Sequence, residues 1–166
     1  MGETPSSKSY FSLVRTVSGI EFVRAGNEVL IVPLTAEGEV ILTIEPSAAF
    51  SETTLILPGG ETEQDEEHTA TARRELQEEI GYDALRLDFL GELRPYSKYL
   101  SVRSFVYLAQ DLVPSRLQGD EDYLIRLERV PLVAFESLIA SGHLLDARVV
   151  AALYIAREFL NKKVSS

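Results

Sequence analysis

The spacing of apolar and polar positions along the chain predicts short β-strands separated by turns, with helices between and after them. Short runs rich in Val, Ile, Leu and aromatic residues alternate with Gly, Pro and acidic residues, a pattern typical of strands. The predicted strands cover about residues 10–17, 20–25, Val29–Pro33, Val40–Ile44, Thr54–Leu57, Leu85–Leu93, Val102–Ala109 and a segment ending near Val130. The turn Ala36-Glu37-Gly38 predicts that the third and fourth of these strands form a hairpin.

Three helices are predicted, and the first of them follows the glycine-rich segment Pro58-Gly59-Gly60. Thr62 or Asp65 could cap its start, and Gly81 would end it. Apolar residues repeat at helical spacing as Ala72, Leu76 and Ile80 in the first helix, and as Val149, Leu153, Ala156 and Leu160 in the last. The other two helices cover about residues 133–141 and 146–161. This order of elements is consistent with an α/β/α sandwich.

The first helix carries three carboxylates on one side. Glu75, Glu78 and Glu79 fall within an arc of about 100° on a helix. Like charges at this spacing oppose helix formation, so a purely structural helix gains nothing from them. One interpretation is a solvated acidic face. The other is a site for Mg²⁺ or Mn²⁺, with Gly59 and Gly60 allowing the backbone to approach the ion closely.

The residues around this helix also follow a fixed spacing. The matching positions are Gly60, Glu66, Arg74, Glu75, Leu76, Glu78, Glu79 and Gly81. In this order and spacing they resemble the signature of the Nudix hydrolases, whose last position is an aliphatic residue where this chain has Tyr82. That last position is a packing position in the family, so the departure affects no catalytic role. The resemblance implies a Nudix-type α/β/α sandwich with a mixed sheet.

The same resemblance assigns roles within the motif. Glu75 and Glu79 are expected to be the main metal ligands, and the Gly59 carbonyl a further ligand. Glu78 is expected to be a bridging ligand or an alternative base. Arg74 is expected to orient the glutamates by charge-assisted hydrogen bonds, with Glu66 as its partner or as a helix-start charge. Two or three Mg²⁺ or Mn²⁺ ions per site are implied.

A second acidic cluster, Asp120-Glu121-Asp122, follows Gly119. Taken alone it is typical of a solvated surface loop. The chain, however, resembles the ADP-ribose pyrophosphatase branch of the family, and within it the ADP-compounds hydrolases. By that resemblance Glu121 is the candidate catalytic base. The implied reaction is metal-dependent hydrolysis of ADP-ribose, NADH or short diadenosine polyphosphates, with release of AMP.

The choice of substrate is the least determined part of the sequence. A loop after the motif offers Pro95, Tyr96, Lys98 and Arg103 as candidate substrate-binding residues, although each is also typical of a plain surface position. Alternatives within the family are hydrolysis of oxidised nucleoside triphosphates or of diadenosine polyphosphates. A non-catalytic nucleotide-binding domain is a further alternative, although such domains usually lose a motif glutamate. The resemblance also implies a homodimer.

Composition narrows the remaining classes. A chain of 166 residues, 45% of them hydrophobic, predicts a single domain spanning residues 1–166, with 1–8 and 163–166 disordered. The formal net charge of −10 argues against nucleic acid as a partner. The chain has no Cys and two His residues, which argues against disulfides and zinc. No apolar run is long enough for a membrane span, and the start of the chain lacks a secretory signal, which predicts a cytoplasmic protein.

Overall fold

The computed structural model describes residues 11–63, 65–119 and 123–164. The strands are β1 Ser12–Arg15, β2 Glu21–Arg24, β3 Glu28–Pro33, β4 Glu39–Ser47, β5 Glu52–Ile56, β6 Gly59–Glu61, β7 Tyr82–Leu93, β8 Ser104–Pro114 and β9 Arg126–Pro131. The helices are α1 His68–Glu75, α2 Glu136–Ala140 and α3 Ala147–Val164, and a π-helical turn, Leu76–Ile80, continues α1. None of these helices combines the length and apolar character needed to cross a membrane.

The strands form one mixed sheet and two antiparallel ones. The mixed sheet has the order β6-β3-β8-β7, in which β3 and β8 run parallel and the other pairs run antiparallel. A second sheet has the order β5-β4-β9, and β1 pairs with β2 alone. The parallel pair places the start of β8 beside the start of β3, so that the segments following both strands emerge at the same edge.

Helices cover the two faces of the mixed sheet, and alternate residues of β3 divide between them. Val29 and Ile31 pack with Leu76 and Ile80 on the α1 side. Leu30 and Val32 pack on the opposite side, in the larger core that contains the buried residues of α3, namely Val149, Ala152, Leu153 and Ala156. This alternation is the expected pattern of a strand buried on both faces. The prediction of an α/β/α sandwich with a mixed sheet is confirmed.

The predicted hairpin between the third and fourth strands is wrong. The turn is present, with the Gly38 amide donating to the Thr35 carbonyl at 3.1 Å and Gly38 at φ +81°. Beyond it, however, only a single bridge joins Leu34 to Val40. β3 then pairs with β6 and β8, and β4 pairs with β5 and β9, because each strand satisfies its backbone in a different sheet.

The start of the first helix also differs from the prediction. The helix begins at His68, and its N-terminal flanking residue Glu67 makes no side-chain capping bond. Asp65 has φ +65° and lies in a turn, and the Thr62 hydroxyl is buried with no hydrogen-bond partner among the described residues, so neither residue caps the helix. The predicted end is confirmed, because Gly81 adopts the left-handed conformation at φ +77° and its amide donates to the Leu76 carbonyl.

Two further elements extend beyond their predicted limits. Gly59–Glu61, which overlaps the glycine-rich segment and lies outside the predicted strands, forms β6 and pairs with β3 through its backbone. α3 continues through Val164, two residues into the segment expected to be disordered. The pairing of β6 is the more important difference, because it fixes the glycine-rich segment beside the glutamate-bearing helix.

Candidate functional site

α1 and the π-helical turn divide their residues between the core and a pocket. Leu76 and Ile80 are almost fully buried, while Glu75, Glu78 and Glu79 line a single pocket. Glu75 and Glu79 are themselves only 8% and 6% exposed. Buried carboxylates are rare unless a charge partner or a metal balances them. A π-helical turn at this point is also typical of functional sites.

The glycines of β6 bring backbone directly against these carboxylates. The Gly59 amide donates to Glu79 Oε2 at 3.1 Å. A Cβ on Gly60 would lie 2.3 Å from Glu75 Oε1, which shows that the carboxylate occupies the space that a side chain would need. A Cβ on Gly59 would lie 2.2 Å from the Val29 carbonyl oxygen, so the pairing of β6 with β3 also requires a glycine there. The absence of side chains at these two glycines therefore allows both the pairing of β6 with β3 and the close approach of Glu75.

Arg74 connects the carboxylates of this region. Its guanidinium donates to both oxygens of Glu66, at 3.1 and 3.2 Å, and Nη1 donates to Glu75 Oε1 at 2.7 Å and to Glu78 Oε2 at 3.1 Å. The bonds to Glu66 are the main reason that the pKa of Arg74 is raised, and they also hold the pKa of Glu66 below its usual range. Arg74 is thus a permanent cation that fixes three carboxylates.

The pocket has a volume of about 110 Å³. Its lining comprises Glu75, Glu78, Glu79, Arg116, Gly119, Tyr123, Leu124 and Ile125. Gly119 lies against the π-helical turn, since a Cβ there would be 3.6 Å from Glu78 Cβ. Tyr123 donates its hydroxyl hydrogen to Glu45 Oε2 at 2.8 Å. The candidate base Glu121, with Asp120 and Asp122, lies outside the described residues.

The donor types in this pocket fit a hard divalent cation, which prefers carboxylate and backbone oxygens. Within the part of the chain that the structure describes, no three acidic or imidazole side chains converge on one point as a metal site would require. Glu75 and Glu78 are instead held by Arg74. These bonds use Oε1 of Glu75 and Oε2 of Glu78, so the other oxygen of each carboxylate lies outside the contact with Arg74. Glu75 also lies next to the backbone at Gly60.

The predicted substrate-binding residues lie elsewhere, since none of them lines the carboxylate pocket. Pro95 lines a separate cleft against α3. Tyr96 is 79% exposed, and Lys98 Nζ lies 5.3 Å from the centre of the Tyr99 ring. Arg103 Nη1 lies 3.8 Å from Glu92 Oε2. A role for these four residues in binding substrate stays a prediction.

Sequence reasoning missed the two polar residues Arg116 and Tyr123 of the pocket, and the apolar residues Leu124 and Ile125 beside them. The two polar residues lie in the segment after β8, and neither belongs to a motif or to a periodic pattern. Only the antiparallel pairing of β8 with β7, which places Pro114 opposite Tyr82 and so brings the end of β8 to the π-helical turn, identifies them. No signal in the sequence alone would have selected them.

Comparison with known proteins places this geometry in a family. The NUDIX domain model matches residues 25–153. The chain is 34% identical over 132 residues to the ADP compounds hydrolase NudE of Escherichia coli, covering 80% of this chain and 70% of the relative. It is 28% identical over 135 residues to an ADP-ribose pyrophosphatase of Bacillus subtilis, covering 80% and 73%.

Among solved structures, the crystal structure of an ADP compounds hydrolase superposes with a TM-score of 0.80 at 29% identity. The match covers 97% of this chain and 92% of that one. The family model covers most of the chain, and the residues of the motif converge around one pocket. The chain therefore belongs to the NUDIX family and is a Nudix pyrophosphohydrolase.

Proposed function

We propose that this enzyme hydrolyses the pyrophosphate bond of ADP-ribose and related ADP compounds, among them NADH and short diadenosine polyphosphates, and releases AMP. The observation that carries the proposal is the carboxylate pocket, where Glu75, Glu78 and Glu79 line one cavity beside the glycines of β6. The names of the Escherichia coli and Bacillus subtilis relatives, which refer to ADP compounds and ADP-ribose, support this choice of substrate.

The residues proposed to hold metal are Glu75, Glu78, Glu79 and the Gly59 carbonyl. Two or three Mg²⁺ or Mn²⁺ ions bound there would neutralise the diphosphate and lower the pKa of bound water. Arg74 is proposed to orient Glu75 and Glu78 through the bonds it already makes to them. Its two bonds to Glu66 hold the guanidinium in this position.

In the proposed reaction a water oxygen attacks one phosphorus, and the bond from that phosphorus to the bridging oxygen breaks. A carboxylate accepts a proton from the water, and the other phosphate leaves with the bridging oxygen. From ADP-ribose the products are AMP and ribose 5-phosphate. Glu78 and Glu121 are the two candidates for the base. Separate Glu78→Gln and Glu121→Gln variants would distinguish them, because loss of the base removes the acidic limb of the pH–rate profile.

The proposal also includes a homodimer. Among the described strands the β1–β2 hairpin joins neither of the other sheets, and a single parallel bridge between Val23 and Leu100 connects it to the rest of the fold. The hairpin carries the exposed residues Leu13 and Val17, with Phe11 and Ile20 beside its strands. A two-stranded hairpin with an exposed apolar surface is marginally stable on its own, which favours a partner at this surface. Light scattering during gel filtration would measure the mass in solution. A cytoplasmic location is part of the proposal as well, and cell fractionation would check it.

The test of the proposed function is release of AMP from a panel of substrates. The panel contains ADP-ribose, NADH, diadenosine triphosphate and an oxidised dGTP, each with Mg²⁺ or Mn²⁺ and each again with EDTA. We expect AMP from ADP-ribose, and its loss with EDTA. Turnover of the oxidised dGTP alone would assign the enzyme to another branch of the family. Binding of ADP-ribose with metal but without turnover would indicate a nucleotide-binding domain.

A further inference from the structure

Arg116 occupies a fixed position at the base of the segment that follows β8. The amide of the preceding residue, Ser115, donates to the Gly81 carbonyl at 2.9 Å, and the amide of the following residue, Leu117, donates to the Gln77 carbonyl at 3.1 Å. The Gln77 side-chain amide also donates to Ser115 Oγ at 2.6 Å. Arg116 is therefore held on both sides against the π-helical turn.

The side chain of Arg116 crosses Gly81 to reach the pocket. Its Nη1 and Cδ lie 3.0 and 3.3 Å from the position of an ideal Cβ on Gly81. The left-handed conformation of Gly81 favours glycine, and the absence of a side chain at that position leaves the path for the guanidinium open. Arg116 then lines the same pocket as Glu75, Glu78 and Glu79.

Arg116 differs from Arg74 in how its charge is used. Arg74 is engaged by Glu66, Glu75 and Glu78. In residues 11–63, 65–119 and 123–164, Arg116 makes no ion pair, although it shares a pocket with three carboxylates. A guanidinium that is positioned in this way, with no carboxylate partner among the described residues, can still donate paired hydrogen bonds to phosphate oxygens.

From this geometry we infer that Arg116 is a substrate-binding residue that contacts the diphosphate of the substrate in the carboxylate pocket. The inference rests on the proposed function for the identity of the substrate, and on the pocket alone for the phosphate contact. Arg116 supplies positive charge to the same pocket that the proposed metal ligands Glu75, Glu78 and Glu79 line. The contact would position the diphosphate for in-line attack.

The test measures binding of methylenediphosphonate, a non-hydrolysable diphosphate without a nucleoside, in the presence of Mn²⁺. Isothermal titration compares the wild type with Arg116→Gln, Arg116→Lys and the control Arg24→Gln, whose side chain is exposed on β2. We expect the dissociation constant of Arg116→Gln to rise about tenfold, because a charged hydrogen-bond partner is lost. Arg116→Lys should recover part of this loss, since a lysine keeps the charge without the paired donors.

Mn²⁺ binding without diphosphate gives the second readout. Removal of the Arg116 guanidinium should leave the affinity for Mn²⁺ unchanged or increase it, because a neighbouring positive charge is lost. Arg116→Gln should therefore weaken the binding of methylenediphosphonate but not that of Mn²⁺. A wild type that does not bind methylenediphosphonate, or an Arg116→Gln variant that binds it equally well, would overturn the inference. A variant that loses both ligands together, with a lower thermal midpoint, would also overturn it and indicate a purely structural role.

These results are separable from those on the proposed function. If the wild type releases no AMP from ADP-ribose, the substrate assignment fails, whereas the dependence of methylenediphosphonate binding on Arg116 is measured without any nucleotide. If ADP-ribose is hydrolysed, the ratio kcat/KM of Arg116→Gln should fall about tenfold as well. Arg24→Gln should match the wild type in each measurement.

Discussion

Two clusters in this protein place one arginine among several carboxylates, and only one of them lines the candidate active site. Arg148 donates to both oxygens of Glu28, at 2.8 and 3.0 Å, and to both oxygens of Asp146, at 3.2 and 2.8 Å. Arg74 has a comparable set of bonds, to Glu66 above all. The side-chain exposure of the two arginines is also close, at 32% for Arg148 and 29% for Arg74.

The clusters differ in the balance of charge. Arg148 and its two carboxylates join β3 to the start of α3, and Ser104 of β8 donates a further bond to Glu28. Burial lowers the pKa of Arg148, but the bonds and charges of Asp146 and Glu28 together outweigh this effect and raise it. Around Arg74 the acids are in larger excess, because Glu79 adds to Glu66, Glu75 and Glu78. Surplus carboxylate beside a cavity, and not ion pairing itself, distinguishes a metal-binding region from a structural cluster.

The largest expected effect is the loss of turnover in Glu79→Gln. Replacing a proposed metal ligand by a neutral amide should lower kcat about 100-fold or more, because the developing charge on the phosphate loses its stabilisation. The free energy of unfolding should change little. Steady-state release of AMP from ADP-ribose measures the effect. Glu28→Gln, the same substitution in the Arg148 cluster, is the matched control and should keep its turnover; equal rates for both variants would remove the distinction between the clusters.

Arg148→Gln should lower stability and leave turnover unchanged, the reverse of Glu79→Gln. Glu28 and Asp146 would lose their shared partner, which should lower the free energy of unfolding by about 2 kcal/mol. The loss is smaller than for a fully buried pair, because this cluster is partly exposed. Activity per folded molecule should be that of the wild type. Urea denaturation followed by circular dichroism gives the stability, and an assay at low temperature gives the activity. A loss of kcat without a loss of stability would contradict a structural role.

Gly60→Ala tests the close approach of the backbone to Glu75. The new methyl group would occupy the position 2.3 Å from Glu75 Oε1, so the flexible carboxylate should move and activity should fall about tenfold, at little cost in stability. Gly38→Ala is the matched control, because it strains the backbone without touching a neighbour: φ is +81°, and nothing lies within 4 Å of the Cβ position. That variant should lose about 1 kcal/mol of stability and no activity. Full activity in Gly60→Ala would show that the packing of Glu75 is irrelevant to catalysis.

The smallest effect concerns acid stability. The hydrogen bonds from Arg74 hold the pKa of Glu66 below its usual value of 4.5. Since the unfolded chain takes up the proton first, this stabilisation is present above about pH 4.5 and is lost as the pH falls through the folded-state pKa. Glu66→Gln should remove about 0.5 kcal/mol of the pH-dependent part of the unfolding free energy; the value is small because solvent screens the pair. Urea titrations between neutral and acidic pH would measure it, and an unchanged slope would mean that Glu66 contributes nothing.

Much of the fold was predictable because the ends of elements and their buried faces depend on the types of residues that lie within a few positions of each other. Gly81 ends the first helix as predicted, since its positive φ suits glycine, and the apolar stripe of Leu76 and Ile80 packs as expected. The helix start was not predictable in the same way. Arg74 binds Glu66 through a contact eight residues away, and Asp65 lies in a turn, so tertiary contacts override the capping preference of single residues.

The candidate site was predictable where a motif defines it and not where the sheet assembles it. The motif alone identified Arg74, Glu75, Glu78 and Glu79, which the structure brings together. Arg116 reaches the same pocket because β8 pairs antiparallel with β7, which places Pro114 opposite Tyr82 and Ser115 beside Gly81. Arg116 lies beyond the end of β8, in a segment without a motif or a periodic pattern, so no local pattern could select it.

The most direct test of the central claim is the binding of Mn²⁺, followed by electron paramagnetic resonance, to the wild type, Glu79→Gln and Glu28→Gln. We predict that the wild type and Glu28→Gln bind Mn²⁺ with equal affinity, and that Glu79→Gln binds it at least about tenfold more weakly while remaining folded. Equal binding by Glu79→Gln, or a loss of binding in Glu28→Gln instead, would contradict the assignment of the metal to the carboxylate pocket.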